Sequence, residues 1–257
     1  MGIKIRRSGN FEYVEEGKGP ILLLLHGLFG ALSNWMDVIN QFRDRYRLVI
    51  PLMPIYKKSH VAASVDGLAT YVKEFLDVKG ISKFTVLGNS LGGHIAMVLA
   101  IEDPEKINAM VLTGSSGLFE TGMGSTFPKR GNVEYIRDRV QFTFHDPATA
   151  SDELISEVFG IVNDNYKALR ILKIARAAQR HNMREAIPDI KSPTLLVWGL
   201  NDNITPANVA HEFHRLLPAS QLRFIDECGH AAMMEKPAEF NRILDQFLQT
   251  NSKVIAA

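Results

Sequence analysis

Hydrophobic residues come as short unbroken runs in some parts of the chain and at three- and four-residue spacing in others. The runs at 21–25, 46–52, 84–87, 107–112, 194–198 and 222–225 are β-rich. Most of them predict strands covered on both faces, as a parallel sheet requires. Between them, 34–42, 65–78, 90–101, 206–216 and 237–248 carry helical spacing, several opened by a capping residue or by proline. Strand and helix alternate, which predicts an α/β domain with a mostly parallel central sheet flanked by helices.

Residues 118–187 break that rhythm, with helical spacing and no convincing strand. The stretch begins with a glycine-rich entry (Gly117, Gly122, Gly124, Gly131) and runs to Ile187-Pro188, where proline predicts the end of its last helix. The expected organisation is a core of 1–117 and 188–257 with a helical cap of 118–187 inserted into it.

Composition narrows the function. Lys plus Arg is 29 and Asp plus Glu is 28, a formal charge of +1 over 257 residues, so charge-driven binding to nucleic acid or an anionic membrane is not expected. The longest apolar runs, 21–25 and 95–101, fall far short of the roughly 18 residues that span a bilayer. Charges at the start, Met1 to Arg7, precede no apolar stretch, and Arg6 stands where a myristoylation signal needs Ser or Thr. With a single cysteine, Cys228, there is no internal disulfide to form, and a reducing, cytoplasmic setting is expected.

The strongest chemical signal is Gly88-Asn89-Ser90-Leu91-Gly92-Gly93, directly after the run 84–87 and before the helical run from His94. A serine on so tight a strand-to-helix turn points its hydroxyl outward, and small residues two before and two after let the turn close. The helix that begins there aims N–H groups and its positive dipole end at the same place. A second turn, His26-Gly27-Leu28-Phe29-Gly30, ends the run 21–25. The N–H of Leu28 with that of Leu91 would form an oxyanion hole, while His26 reads as a structural imidazole.

A serine hydroxyl needs a base to take its proton. Of eight histidines, His230 is the best placed, in a loop after the run 222–225. Its imidazole needs a carboxylate to fix the tautomer, and Asp202, after the run 194–198 and just before a helix start, is well placed to supply it. Ser90, Asp202, His230 is the order Ser…acid…His.

These motifs resemble the α/β-hydrolase fold superfamily, from the His26-Gly27 turn to the C-terminal helix. They include the elbow, Trp198-Gly199-Leu200-Asn201-Asp202, Gly229-His230, and a helical insertion after 107–112. The resemblance implies Ser90 as nucleophile, His230 as base and acid, Asp202 as its orienter, Leu28 and Leu91 as oxyanion donors, and no metal or cofactor. One departure follows the run 46–52, where Pro54-Ile55-Tyr56-Lys57-Lys58-Ser59-His60 replaces the Asp and glycine-rich turn that family members often carry.

Other patterns read more plainly. His211 and His214 share a helical face but lack a third ligand for metal. Lys167, Arg170, Lys173, Arg176 and Arg180 offer an anion-binding stripe, but the clustering of the last four opposite Ala168, Ile171, Ile174 and Ala175 favours the solvated face of an amphipathic cap helix. Cys228 reads as a buried packing residue. Phe29, Phe119, Phe144 and Met233 are the expected substrate contacts. Phe119, Met123, Phe127, Phe142, Phe144, Phe159 and Ile161 would roof an apolar pocket or form cap core, and Met233 with Met234 would face the cleft.

The expected activity is that of a serine carboxylesterase, acting through an acyl-enzyme on Ser90 upon a small apolar ester. A first alternative is carbon–carbon hydrolysis of a vinylogous diketone, because the elbow and Cys228-Gly229-His230 also resemble ring-fission-product hydrolases. Against it stand Ala231, where those enzymes often have a bulky aromatic, and a less glycine-rich His26–Gly30 turn. A second alternative is a triad-bearing small-molecule sensor, although nothing in the sequence demands a partner.

Overall fold

The computed structural model describes residues 3–30, 32–57, 59–121 and 129–255. Its strands are β1 (Arg6–Ser8), β2 (Phe11–Glu16), β3 (Ile21–Leu25), β4 (Arg47–Pro51), β5 (Phe84–Asn89), β6 (Ile107–Thr113), β7 (Thr194–Gly199) and β8 (Ser220–Ile225). They form one sheet in the order β1-β2-β4-β3-β5-β6-β7-β8. Pairing is parallel from β4 to β8 and antiparallel at β1–β2 and β2–β4.

The six expected strands are present. The antiparallel edge, β1 and β2, was not foreseen in the hydrophobic pattern, because Glu12, Glu15 and Glu16 interrupt Phe11, Tyr13 and Val14. Within the central strands, successive side chains serve opposite faces. Leu23 and Leu25 of β3 enter one apolar cluster and Leu22 and Leu24 the other. Each fully buried leucine contributes roughly 1.5–3 kcal/mol relative to exposure.

Helices α2 (Val65–Val78), α3 (Leu91–Glu102) and α7 (Ala207–Leu216) cover the first face, and α1 (Met36–Phe42) and α9 (Pro237–Thr250) the second. Between β6 and β7 lie α4 (Val133–Gln141), α5 (Asp152–Asn163) and α6 (Asn165–Arg180). Each starts at a side-chain cap: Asn132, Ser151 and Asp164 accept from N–H groups of the first turn. A one-turn helix, α8 (Ala232–Glu235), precedes α9.

The expected helix end at Pro188 is corrected, since α6 stops at Arg180. The chain there leaves helical dihedrals at His181, and Met183 N–H donates to the Gly117 carbonyl at 2.8 Å. Asn182 Nδ2 reaches the Leu118 carbonyl at 3.1 Å, so the two ends of the insertion are tied together. Pro188 instead opens the single 3₁₀ turn Ile187–Asp189. Among the described residues no helix is long and apolar enough to cross a membrane.

Candidate active site

Ser90 sits between β5 and α3 with φ 54° and ψ −118°, a left-handed backbone that a non-glycine residue adopts only where surrounding structure imposes it. The imposing contacts are close: a Cβ on Gly88 would collide with Gly92, and one on Gly92 with the Leu25 carbonyl. Glycine at both positions lets the elbow press against β3. Beside Ser90, the buried Asn89 donates its side-chain amide to the Thr113 carbonyl at 3.0 Å and the His230 carbonyl at 3.2 Å. One amide therefore links the elbow, the end of β6 and the histidine loop.

Asp202 and His230 meet as expected, with His230 Nδ1 2.9 Å from Asp202 Oδ2. The carboxylate is fully engaged. Its Oδ1 accepts from the N–H groups of Ile204 and Thr205 at 2.8 and 2.9 Å, and Oδ2 also accepts from Thr205 Oγ1 at 2.8 Å. A carboxylate only accepts, so Nδ1 carries the proton and Nε2 keeps a lone pair. Burial disfavours the imidazolium, but the charge and hydrogen bond of Asp202, with the charge of Glu120, outweigh it and hold His230 above its usual pKa. Burial in turn pushes the Glu120 carboxyl up, against the pull of His230.

Two ties join the histidine loop to the insertion. His230 N–H donates to the Thr143 carbonyl at 2.8 Å. Glu235 takes the N–H of Gly229 on one oxygen and that of Asp146 on the other, each at 2.6 Å.

Ser90 and His230 line one cavity of about 160 Å³, together with Leu28, Phe29 and Leu91. That volume is close to the roughly 150 Å³ that accommodates benzene in an engineered protein cavity. Among the described residues, neither Leu28 N–H nor Leu91 N–H has a hydrogen-bond partner, and both flank Ser90. Such a pair can stabilise negative charge developing on a carbonyl oxygen attacked by the serine.

The other expected contacts divide. Phe29 and Phe144 line the cavity. Met233 does not: it is fully buried in the second apolar cluster, while Met234, one helical step round, faces the cavity. Phe119 is 59% exposed and borders a separate outer pocket with Glu120 and Gln179. Of the proposed aromatic roof, Met123 and Phe127 lie outside the described residues, Phe142 is exposed, and Ile161 and Phe159 pack into the core. Aliphatic residues of the insertion line the cavity instead, among them Ile136, Val140, Leu154, Val158 and Ile171.

Glu120, Thr121 and Arg139 are among the polar lining residues that had no sequence signal, and Arg176 of the basic stripe lines the cavity with them. Neither arginine has a carboxylate partner among the described residues, although Arg139 lies over the Tyr135 and Phe142 rings. The basic stripe is also corrected. Arg170 is buried, its Nε on the Pro54 carbonyl at 3.1 Å and its Nη2 on that of Val61 at 3.0 Å, whereas Lys173, Arg176 and Arg180 are exposed.

Remaining candidates are structural. His26 Nδ1 bonds the Gly27 carbonyl at 2.9 Å, His211 lies against the Phe224 ring, and His214 Nδ1 bonds Ser220 Oγ at 2.8 Å. The described residues hold no group of three or more metal-ligating side chains. Cys228 is buried, and burial pushes its thiol up to about 12.

A mostly parallel eight-stranded sheet, with helices on both faces and a helical insertion after β6, is the architecture of an α/β hydrolase. Residues 20–155 and 163–237 match the family model of the alpha/beta hydrolase fold, and the chain belongs to that family. It is 30% identical to a 2-hydroxy-6-oxo-6-phenylhexa-2,4-dienoate hydrolase of Comamonas testosteroni, covering 92% of this chain and 90% of the relative. Identity to monoacylglycerol lipase abhd6-B of Xenopus laevis is 24%, over 97% and 83% of the two chains. Among solved structures, an alpha/beta hydrolase enzyme from the metagenome of lagoon sediments at Mar Chica, Morocco, superposes with a TM-score of 0.80. It is 40% identical over 97% of this chain and 99% of that one.

Proposed function

We propose that this hydrolase uses Ser90, His230 and Asp202 to cleave the carbon–carbon bond of a vinylogous diketone bearing a carboxylate, of the kind produced by aromatic ring fission. The inserted helices, residues 118–187, act as a cap over the cavity. The likeness to the Comamonas dienoate hydrolase over nearly the whole of both chains favours this reading over the ester expectation. The observation that carries it is that two basic residues, Arg139 and Arg176, neither with a carboxylate partner among the described residues, line the cavity that holds Ser90. They supply the positive charge that an anionic substrate requires.

Ser90 Oγ attacks the carbonyl beside the scissile bond while His230 Nε2 takes its proton. The oxyanion is held by Leu28 and Leu91 N–H. Collapse breaks the carbon–carbon bond, and its electron pair passes into the second carbonyl of the leaving fragment. That fragment takes back the proton from His230 at carbon. Water, deprotonated by His230, then cleaves the acyl-enzyme, releasing the acid and restoring Ser90.

A second reading, hydrolysis of small carboxylic esters, follows the same steps with an alkoxide leaving group. It is favoured by Ala231 beside His230 and by a cavity near benzene in size. The two are separated by comparing kcat/KM for a ring-fission dienone, followed by loss of its visible absorbance, with that for p-nitrophenyl acetate. Preference for the dienone by about 100-fold or more, which is about 2.7 kcal/mol of transition-state binding, is expected; preference for the ester would replace the first reading with the second.

A further inference from the structure

The segment between β4 and α2, where the sequence departs from family habit, touches the oxyanion turn on one side and the insertion on the other. Tyr56 Oη donates to the Leu28 carbonyl at 2.6 Å. Pro54 and Val61, on either side of Tyr56, give their carbonyls to the one buried guanidinium of Arg170 on α6. One helical turn before Arg170, Tyr166 Oη donates to the Lys57 carbonyl at 3.3 Å. Two side chains on one face of α6 thus clasp the stretch that carries Tyr56.

The turn itself is held plane by plane. A peptide plane carries its C=O and N–H on opposite edges, so fixing one aims the other. The Gly27 carbonyl accepts from Gly30 N–H at 3.0 Å and from His26 Nδ1 at 2.9 Å, which aims Leu28 N–H. The next plane, Leu28–Phe29, has its carbonyl held by Tyr56. Both planes flanking the Leu28 Cα are then fixed, and with them its backbone dihedrals. Burial first, and then the charge of Glu157 on α5, push the Tyr56 phenol up, so it remains a donor across the working pH range.

We propose that Tyr56 is a positioning residue for the oxyanion-binding turn, and that Arg170 makes its grip conditional on the inserted helices being docked. The inference rests on the reading of Ser90 as nucleophile and Leu28 N–H as oxyanion donor. Undocking α6 frees the carbonyls of Pro54 and Val61, and Tyr56 loses its fixed seat against Leu28. Transition-state stabilisation then appears only once the insertion has closed over bound substrate, as in enzymes whose closure completes the catalytic constellation.

The test measures the rate of Ser90 phosphonylation by a fluorophosphonate in the full chain, by mass spectrometry, for the parent, Tyr56→Phe, Arg170→Gln and the double variant. Folding is followed by thermal unfolding, and kcat and KM are measured on p-nitrophenyl acetate. Each single substitution is expected to slow labelling and kcat by about 10- to 100-fold, less than the 100- to 1000-fold that outright loss of a donor costs. KM should stay within about twofold, since the loss falls on the transition state alone. The double variant should be no slower than the slower single, because both substitutions break one chain of contacts, and Arg170→Lys should recover part of the rate.

Tyr56→Phe labelled at the parent rate would overturn the positioning role. Independent, multiplying effects of the two substitutions would overturn its dependence on Arg170. A parent unlabelled at Ser90 would remove the serine-nucleophile reading, and this inference with it.

Discussion

β3 hides four leucines in succession, Leu22 to Leu25, whereas α6 over 16 residues hides only Ala168, Arg170, Ile171, Ile174 and Ala178. The strand is covered on both faces and has no freedom to vary. The helix looks to solvent on one side and to the cavity and core on the other. The difference assigns tasks: Ser90 and Asp202 follow the carboxyl ends of covered strands and His230 that of the sheet-edge strand β8, while most of the aliphatic cavity wall comes from half-covered helices. Chemistry should therefore fail with changes in the sheet-anchored groups, and selectivity should shift with changes in the insertion.

The sharpest break in that comparison comes from Ser90→Ala, expected to lower kcat by about 10⁵- to 10⁶-fold in single-turnover kinetics with an unchanged thermal midpoint. Loss of less than tenfold would take the nucleophile away from the sheet. Asp202→Asn should cost about 10⁴-fold in kcat. It also tests the electrostatics, because the chemistry needs neutral His230 and the parent loses kcat/KM as pH falls through a value above the usual 6.5. With the Asp202 charge gone, burial dominates and that acid limb should move to lower pH.

A third change separates stability from chemistry. Leu24→Ala in β3 should cost about 2–5 kcal/mol in urea unfolding with KM unaltered, and a shifted KM would mean that the sheet core shapes the cavity directly. The smallest effect belongs to the insertion: Arg139→Gln with Arg176→Gln should raise KM roughly tenfold for a carboxylate-bearing dienone and leave p-nitrophenyl acetate untouched. Equal effects on both substrates would show that the arginines support packing rather than charge recognition.

The same division explains what the sequence could tell. Continuous apolar runs mark strands covered on both sides whatever surrounds them, so the central sheet and the elbow at Ser90 were readable from local pattern. Asp202 was readable because it follows such a strand, and His230 because it stands in a loop just after the last strand, β8, at the sheet edge. Arg170 was not. Helical spacing assigns it to a face, but its acceptors are carbonyls of Pro54 and Val61, more than 100 positions earlier, and backbone carbonyls leave no trace in side-chain pattern. Met233 failed for a related reason while Met234 did face the cavity as expected, since α8 is a single turn and its phase is set by the histidine loop before it. β1 and β2 were hidden by the charged residues that suit an edge.

The ties from Gly229 and His230 to the insertion bear on attempts to recombine this protein. His230 N–H rests on the Thr143 carbonyl, and Glu235 holds the N–H groups of Gly229 and Asp146 together. A chimera that imports a foreign insertion to change selectivity imports a new acceptor for the histidine loop as well. Because the acceptor at 143 is a main-chain carbonyl, the donor's residue type there is of little consequence. What must be conserved across the graft is the path of the backbone through 143–146, so a workable crossover keeps that stretch native and exchanges the helices on either side of it.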